Sequence, residues 1–123
     1  MNTMKKGLLF AFLIMLSFVL VTGLQAKLVS YRLSLTIFTD KSEEYLLSAG
    51  LDDRECRSIT EDPSRGIQPF VEQAMREYAE KIGFRKEIYG DDNYKMVIVD
   101  HFSFVIRDIS QDRVVFQKGT GTN

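Results

Sequence analysis

The sequence predicts an α+β fold: an antiparallel sheet of five or six strands with one main amphipathic helix packed on one face. Three observations carry this. Residues 29–37 alternate apolar and polar with a period of two, the mark of a strand with one wet face. Residues 67–82 carry an apolar stripe with a period near 3.6. The last third of the chain reads as extended runs separated by polar turns.

In the first strand Val29, Tyr31, Leu33, Leu35 and Ile37 point one way, and Ser30, Arg32, Ser34 and Thr36 the other. Asp40-Lys41-Ser42 reads as a turn. Tyr45-Leu46-Leu47 reads as a second strand, closed by Ala49-Gly50. Residues 51–66 are polar with no clear period, so they read as an exposed loop with at most one helical turn over 52–57. Loops of that length are uncommon unless they serve a function or are disordered connectors.

The helix over 67–82 places Ile67, Phe70, Val71, Ala74, Met75, Tyr78, Ala79 and Ile82 on one stripe, and this stripe is expected to supply the largest share of the core. Pro69 suits the first turn, where its missing N–H costs nothing. Glu72 and Lys81 match the helix dipole at its two ends. Gly83 is a left-handed stop, and Phe84 folds back on the last turn. Residues 84–89 then read as a short strand and Gly90-Asp91-Asp92-Asn93 as a turn. The following run sets Met96, Ile98, Phe102, Phe104 and Ile106 on one face, interrupted by Asp100. Either the strand runs through with Asp100 at an edge, or it bends at Asp100-His101 as a bulge allows. Ser110-Gln111-Asp112-Arg113 turns the chain, 114–118 returns as a hairpin strand, and 119–123 reads as a flexible tail.

The 123 residues suffice for one domain. With 16 basic and 17 acidic residues, the net charge of −1 argues against a general nucleic-acid binder. One Cys and one His cannot make a four-ligand zinc site or an internal disulfide.

Residues 1–26 read as a signal peptide. Lys5-Lys6 precede an apolar run over 7–24 and the small residue Ala26. Val21-Thr22-Gly23 offers a second cleavage site, and a retained inner-membrane anchor over 7–24 is the alternative. Cleavage after Ala26 leaves a single α+β domain over 27–118 and the tail; the released chain holds 14 basic and 17 acidic residues, net −3. The expected location is the periplasm or the exterior.

Four constellations carry possible chemistry. Asp100 beside His101 has the residues of a carboxylate-oriented base, but neighbours in a regular strand point to opposite faces. Cys56 lies between Glu55 and Arg57; Arg54 and Arg57 favour a thiolate and Glu55 opposes them. Asp52-Asp53 with Glu55, and Asp91-Asp92-Asn93, are oxygen-rich but lack the spacing of a calcium loop. No phosphate-binding glycine loop, nucleophile elbow or zinc-protease motif is present. No cofactor or metal is expected. The candidate partner surface is the 51–66 loop, through Asp52, Asp53, Arg54, Glu55, Cys56 and Arg57, because loops on a rigid scaffold carry recognition.

The order strand, Tyr45-Leu46-Leu47 strand, polar loop and a helix ending Ala79-Glu80-Lys81-Ile82-Gly83-Phe84 resembles small bacterial cell-envelope, lipoprotein-like proteins of unknown function. A final hairpin resembling theirs is formed by Ile106-Arg107-Asp108 and Val114-Val115-Phe116-Gln117-Lys118-Gly119. The resemblance spans roughly 29–119. The cysteine that would carry a lipid is absent after the apolar run, and Phe116 stands where Trp is frequent. The resemblance supplies no catalytic residues. The expected function is an exported, non-enzymatic, envelope-associated binding or assembly module. Its expected partner is another envelope or secreted protein. It would touch a membrane only through an uncleaved N-terminal segment. The alternative is a small periplasmic hydrolase or redox enzyme using Asp100, His101 or Cys56.

Overall fold

The computed structural model describes residues 27–119. The segment read as a signal peptide or anchor, and the tail beyond Gly119, lie outside them. Among the described residues no helix is long and apolar enough to cross a membrane.

Among the described residues four strands form one antiparallel sheet: β1 (Tyr31–Thr39), β2 (Glu44–Leu51), β3 (Val99–Asp108) and β4 (Arg113–Gly119), in the order β2-β1-β3-β4. Between β2 and β3 run α1 (Asp53–Glu61), the short α2 (Pro63–Gly66), α3 (Gln68–Lys81), the short α4 (Lys86–Tyr89) and a 3-10 segment (Gly90–Met96). The α+β class stands. The expected five or six strands and single main helix are corrected to four strands and several helices.

The alternation in β1 does what its period demands. Leu33, Leu35 and Ile37 are fully buried, while Arg32 and Ser34 are exposed on the other face. Their neighbours across the sheet, Leu47 on β2 and Phe104 and Ile106 on β3, bury the same face. α3 lies against β1 and β2 and buries Val71, Ala74, Tyr78 and Ala79. Alanine at 74 and 79 permits that close approach and Ile67 is fully buried, but three members of the stripe contribute less than expected: Phe70 and Met75 are only partly buried, and Ile82 is 43% exposed. Gly83 stops the helix at φ 105°, and the Phe84 N–H donates to the Ala79 carbonyl at 2.8 Å.

The expected 51–66 loop is mostly helix. Asp52 caps α1: its side chain accepts from the Glu55 N–H at 2.8 Å, and the Glu55 carboxylate accepts from the Asp52 N–H at 3.0 Å. This reciprocal capping box satisfies two backbone donors that a helix start leaves open. Ile59 is fully buried and anchors the helix on the core. Gly66 then lets the chain reverse tightly, because a Cβ there would stand 2.7 Å from the Ile59 Cα.

The expected strand over 84–89 is helical instead. Three charged residues stand between Phe84 and Ile88, so the run has no period-two face to lay on a sheet, and Ile88 stays 70% exposed. Side chains hold the segment from outside. Arg76 of α3 donates to the Asp91 carbonyl at 2.6 Å and lies 4.4 Å from the Tyr94 ring centroid. Buried Asn93 donates to the Phe84 carbonyl at 3.0 Å.

The long extended run resolves as the bulge. Phe38 opposes His101, but Thr39 opposes Val99, so Asp100 is an extra residue. One extra residue reverses the side-chain parity. After it the even residues Phe102, Phe104 and Ile106 pack toward the core; before it the odd residues Val97 and Val99 do so. Ile98, expected on the buried face, is therefore 62% exposed, and Met96, which ends the 3-10 segment, is 46% exposed.

Candidate functional site

The six residues of the expected partner loop do not form one surface. Asp52 and Glu55 are engaged in the capping box, and Glu55 also pairs with Lys27 at 2.8 Å. Cys56 turns inward and is 8% exposed. Asp53, Arg54 and Arg57 remain exposed on the helix. Burial first, then the carboxylates of Asp53 and Asp108, push the Cys56 thiol pKa up. The acids that act on the thiol are Asp53 and Asp108, where the sequence pointed to Glu55.

Asp100 and His101 do meet, contrary to the strand rule. Nδ1 of His101 lies 3.0 Å from Oδ2 of Asp100. The rule holds for a regular strand, and the bulge makes this one irregular. The imidazole also stacks on Phe38, with centroids 4.4 Å apart, on the sheet face away from the helices. Cys56 is not among the contacts of either residue. The second oxygen-rich run is dispersed: Asp91 pairs with Lys86, Asp92 with Lys95, and Asn93 is turned inward.

A different site lies at the end of the sheet where β1 turns into β2. There a cleft of about 350 Å³ opens between that turn, the C-terminal end of α3 and the 96–98 segment. This is within the size range of small-molecule sites. Its apolar wall is Ile82, Phe84, Met96 and Ile98. Three of these four keep over two fifths of their surface exposed. Asp40, Lys41 and Glu43 form the polar side.

Thr39, Tyr78 and Val97, all buried, form the floor. The Thr39 hydroxyl accepts from the Lys41 and Glu43 N–H groups at 3.3 and 3.2 Å, which fixes the turn. Ser42 adopts φ 61° within it, and the Asp40 N–H donates to the Ile98 carbonyl at 3.1 Å, tying the turn to the apolar wall. The Tyr78 hydroxyl is buried beside the Glu43 carboxylate and the Thr39 hydroxyl, and neither makes a well-formed hydrogen bond to it. Burial, and then the nearby Glu43 carboxylate, push its pKa up, while Thr39 opposes them. An unsatisfied buried hydroxyl is uncommon in a native core and calls for a functional or structural reason.

The sequence reading missed this site. Its residues come from three separate stretches of chain and share no motif. The available signals were the burial of a tyrosine on the α3 stripe and the excess of apolar residues around the 3-10 segment.

No protein-family model matches the chain, and no curated protein or solved structure is similar to it.

Proposed function

We propose that the chain is an exported, non-enzymatic binding module of the cell envelope, with the cleft beside the 39–43 turn as its ligand site. The observation that carries the reading is the buried, unsatisfied Tyr78 hydroxyl at the floor of a cleft whose wall leaves Ile82, Met96 and Ile98 exposed. A site of this kind combines an apolar surface with a few placed polar groups, the usual makeup of small-molecule pockets. Export is supported by Lys5-Lys6, the apolar run over 7–24 and Ala26, and by the resemblance to envelope proteins.

The alternative enzyme retains one supporting observation, the contact between Asp100 and His101. A base needs a reacting group within reach. Cys56 is a weak nucleophile because its buried thiol resists ionisation.

Mass spectrometry of protein taken from its native host tests both halves. The mature chain should begin at Lys27 and release a small molecule on denaturation. Ile98→Arg, at an exposed position on the cleft wall, should lose that molecule, whereas His101→Ala with Cys56→Ala should keep it. An intact Met1 in the membrane fraction would show the retained anchor. Retention of the molecule by Ile98→Arg would remove the cleft from the reading.

A further inference from the structure

We propose that the cleft takes a primary ammonium group carried on a compact apolar body. The inference rests on the cleft being the ligand site and adds the chemistry of the ligand.

Charge is the first argument. Two carboxylates, Asp40 and Glu43, and one ammonium, Lys41, line the cleft, so its own charge is −1. Among the described residues, neither carboxylate forms an ion pair with a base. An incoming carboxylate or phosphate would meet both acids at close range. A cation is attracted to them.

Hydrogen-bond capacity is the second. A hydroxyl oxygen has two acceptor positions. Thr39 uses both on the N–H groups of Lys41 and Glu43, so only its proton remains to offer. The carboxylates accept and do not donate. Tyr78 keeps its proton because its pKa is raised, and its oxygen still has acceptor capacity. The two carboxylates offer about four acceptor sites each, against three donors from Lys41 and one each from Thr39 and Tyr78, so the cleft holds more acceptors than donors. A primary ammonium brings three donors and no acceptor. It meets the exposed carboxylates at the mouth first. The Tyr78 oxygen, closed from solvent, becomes a further acceptor as the 39–43 turn adjusts around the guest.

The wall supplies the rest of the recognition. Ile82, Phe84, Met96 and Ile98 offer apolar surface that a short alkyl or aryl body would cover. A fully polar amine would gain nothing there, so both parts of the ligand are needed.

Titration of the isotope-labelled exported protein with hexylammonium, hexanol and hexanoate, followed by amide NMR shifts, tests this. Hexylammonium should give saturable shifts at Lys41, Glu43 and Val97 and bind about tenfold more tightly than hexanol, the worth of one charge-assisted hydrogen bond. Hexanoate should bind more weakly than either. Glu43→Gln changes an exposed side chain and leaves the fold intact; it should bring hexylammonium down to the affinity of hexanol. If hexanol or hexanoate binds as tightly as hexylammonium, or if Glu43→Gln leaves hexylammonium affinity unchanged, the ammonium assignment is overturned and the cleft remains a binding site. If none of the three gives saturable shifts there, both the assignment and the site fail.

Discussion

Helices α1 and α3 lie beside the same sheet and are held by opposite means. α3 has a broad apolar stripe and no side-chain cap; its start at Ile67 is already in helical backbone geometry. α1 has only Cys56 and Ile59 buried among nine residues, and it owes its start to the reciprocal bonds of Asp52 and Glu55. Most helix stability comes from tertiary packing of an apolar face. Where that face is narrow, end effects and single anchors carry more of the total. The comparison also explains why one helix was visible in the sequence and the other was not: a stripe repeats, whereas a capping box occurs once.

Concentrating the load on one side chain has a measurable consequence. Ile59→Ala should cost about 2–5 kcal/mol, the range for deleting a fully buried Ile side chain. Chemical denaturation would show it as a lower midpoint at unchanged slope. A loss below about 1 kcal/mol would mean that α1 can pull away from the core without penalty, and the contrast with α3 would be wrong.

The cap should matter less than the anchor, and only in α1. Asp52→Ala removes the side-chain acceptor of the Glu55 N–H, at an expected cost of about 1 kcal/mol. Hydrogen exchange should speed up first at the amides of α1 while those of α3 keep their protection. Equal loosening of both helices would show that they open as one unit.

The smallest effect concerns the Cys56 thiol on the inner face of α1. Burial, Asp53 and Asp108 raise its pKa, so the folded state favours the protonated form. Its contribution to stability is complete below the pKa of the unfolded thiol, and it is lost as pH rises through the folded one. The window therefore lies on the alkaline side. Reaction with a disulfide reagent should reach half its limiting rate at higher pH than for the unfolded chain. Asp108→Asn should move that midpoint back down. A midpoint at or below that of the unfolded chain would place the thiol in water and detach α1 from its neighbours.

Much of the strand pattern was legible because each strand buries one face. Leu33, Leu35 and Ile37 repeat every second residue, and no partner needs to be known to see that they share a side. The 84–89 segment has no such repeat: Arg85, Lys86 and Glu87 stand between Phe84 and Ile88, and that i, i+4 spacing suits the helical turn the structure shows. The candidate site was less legible than the fold. Tyr78 was read correctly as a core position of α3, yet nothing in the sequence showed that its hydroxyl would reach the Thr39 and Glu43 neighbourhood without a hydrogen bond.

The sequence by itself determined the α+β class, the face that β1 buries, the extent of α3 to within one residue at each end, and the stop at Gly83. These are local properties, set by side-chain spacing and by the backbone freedom of a single residue. Only the tertiary structure decided the four-strand order, the extension of α1 beyond the turn read at 52–57, and the parity change at Asp100. The physical reason is clearest at the bulge. An extra residue in a strand is defined only against its partner, here by Phe38 opposing His101 while Thr39 opposes Val99. That pairing turns Ile98 outward onto the apolar wall of the cleft and brings Asp100 against His101.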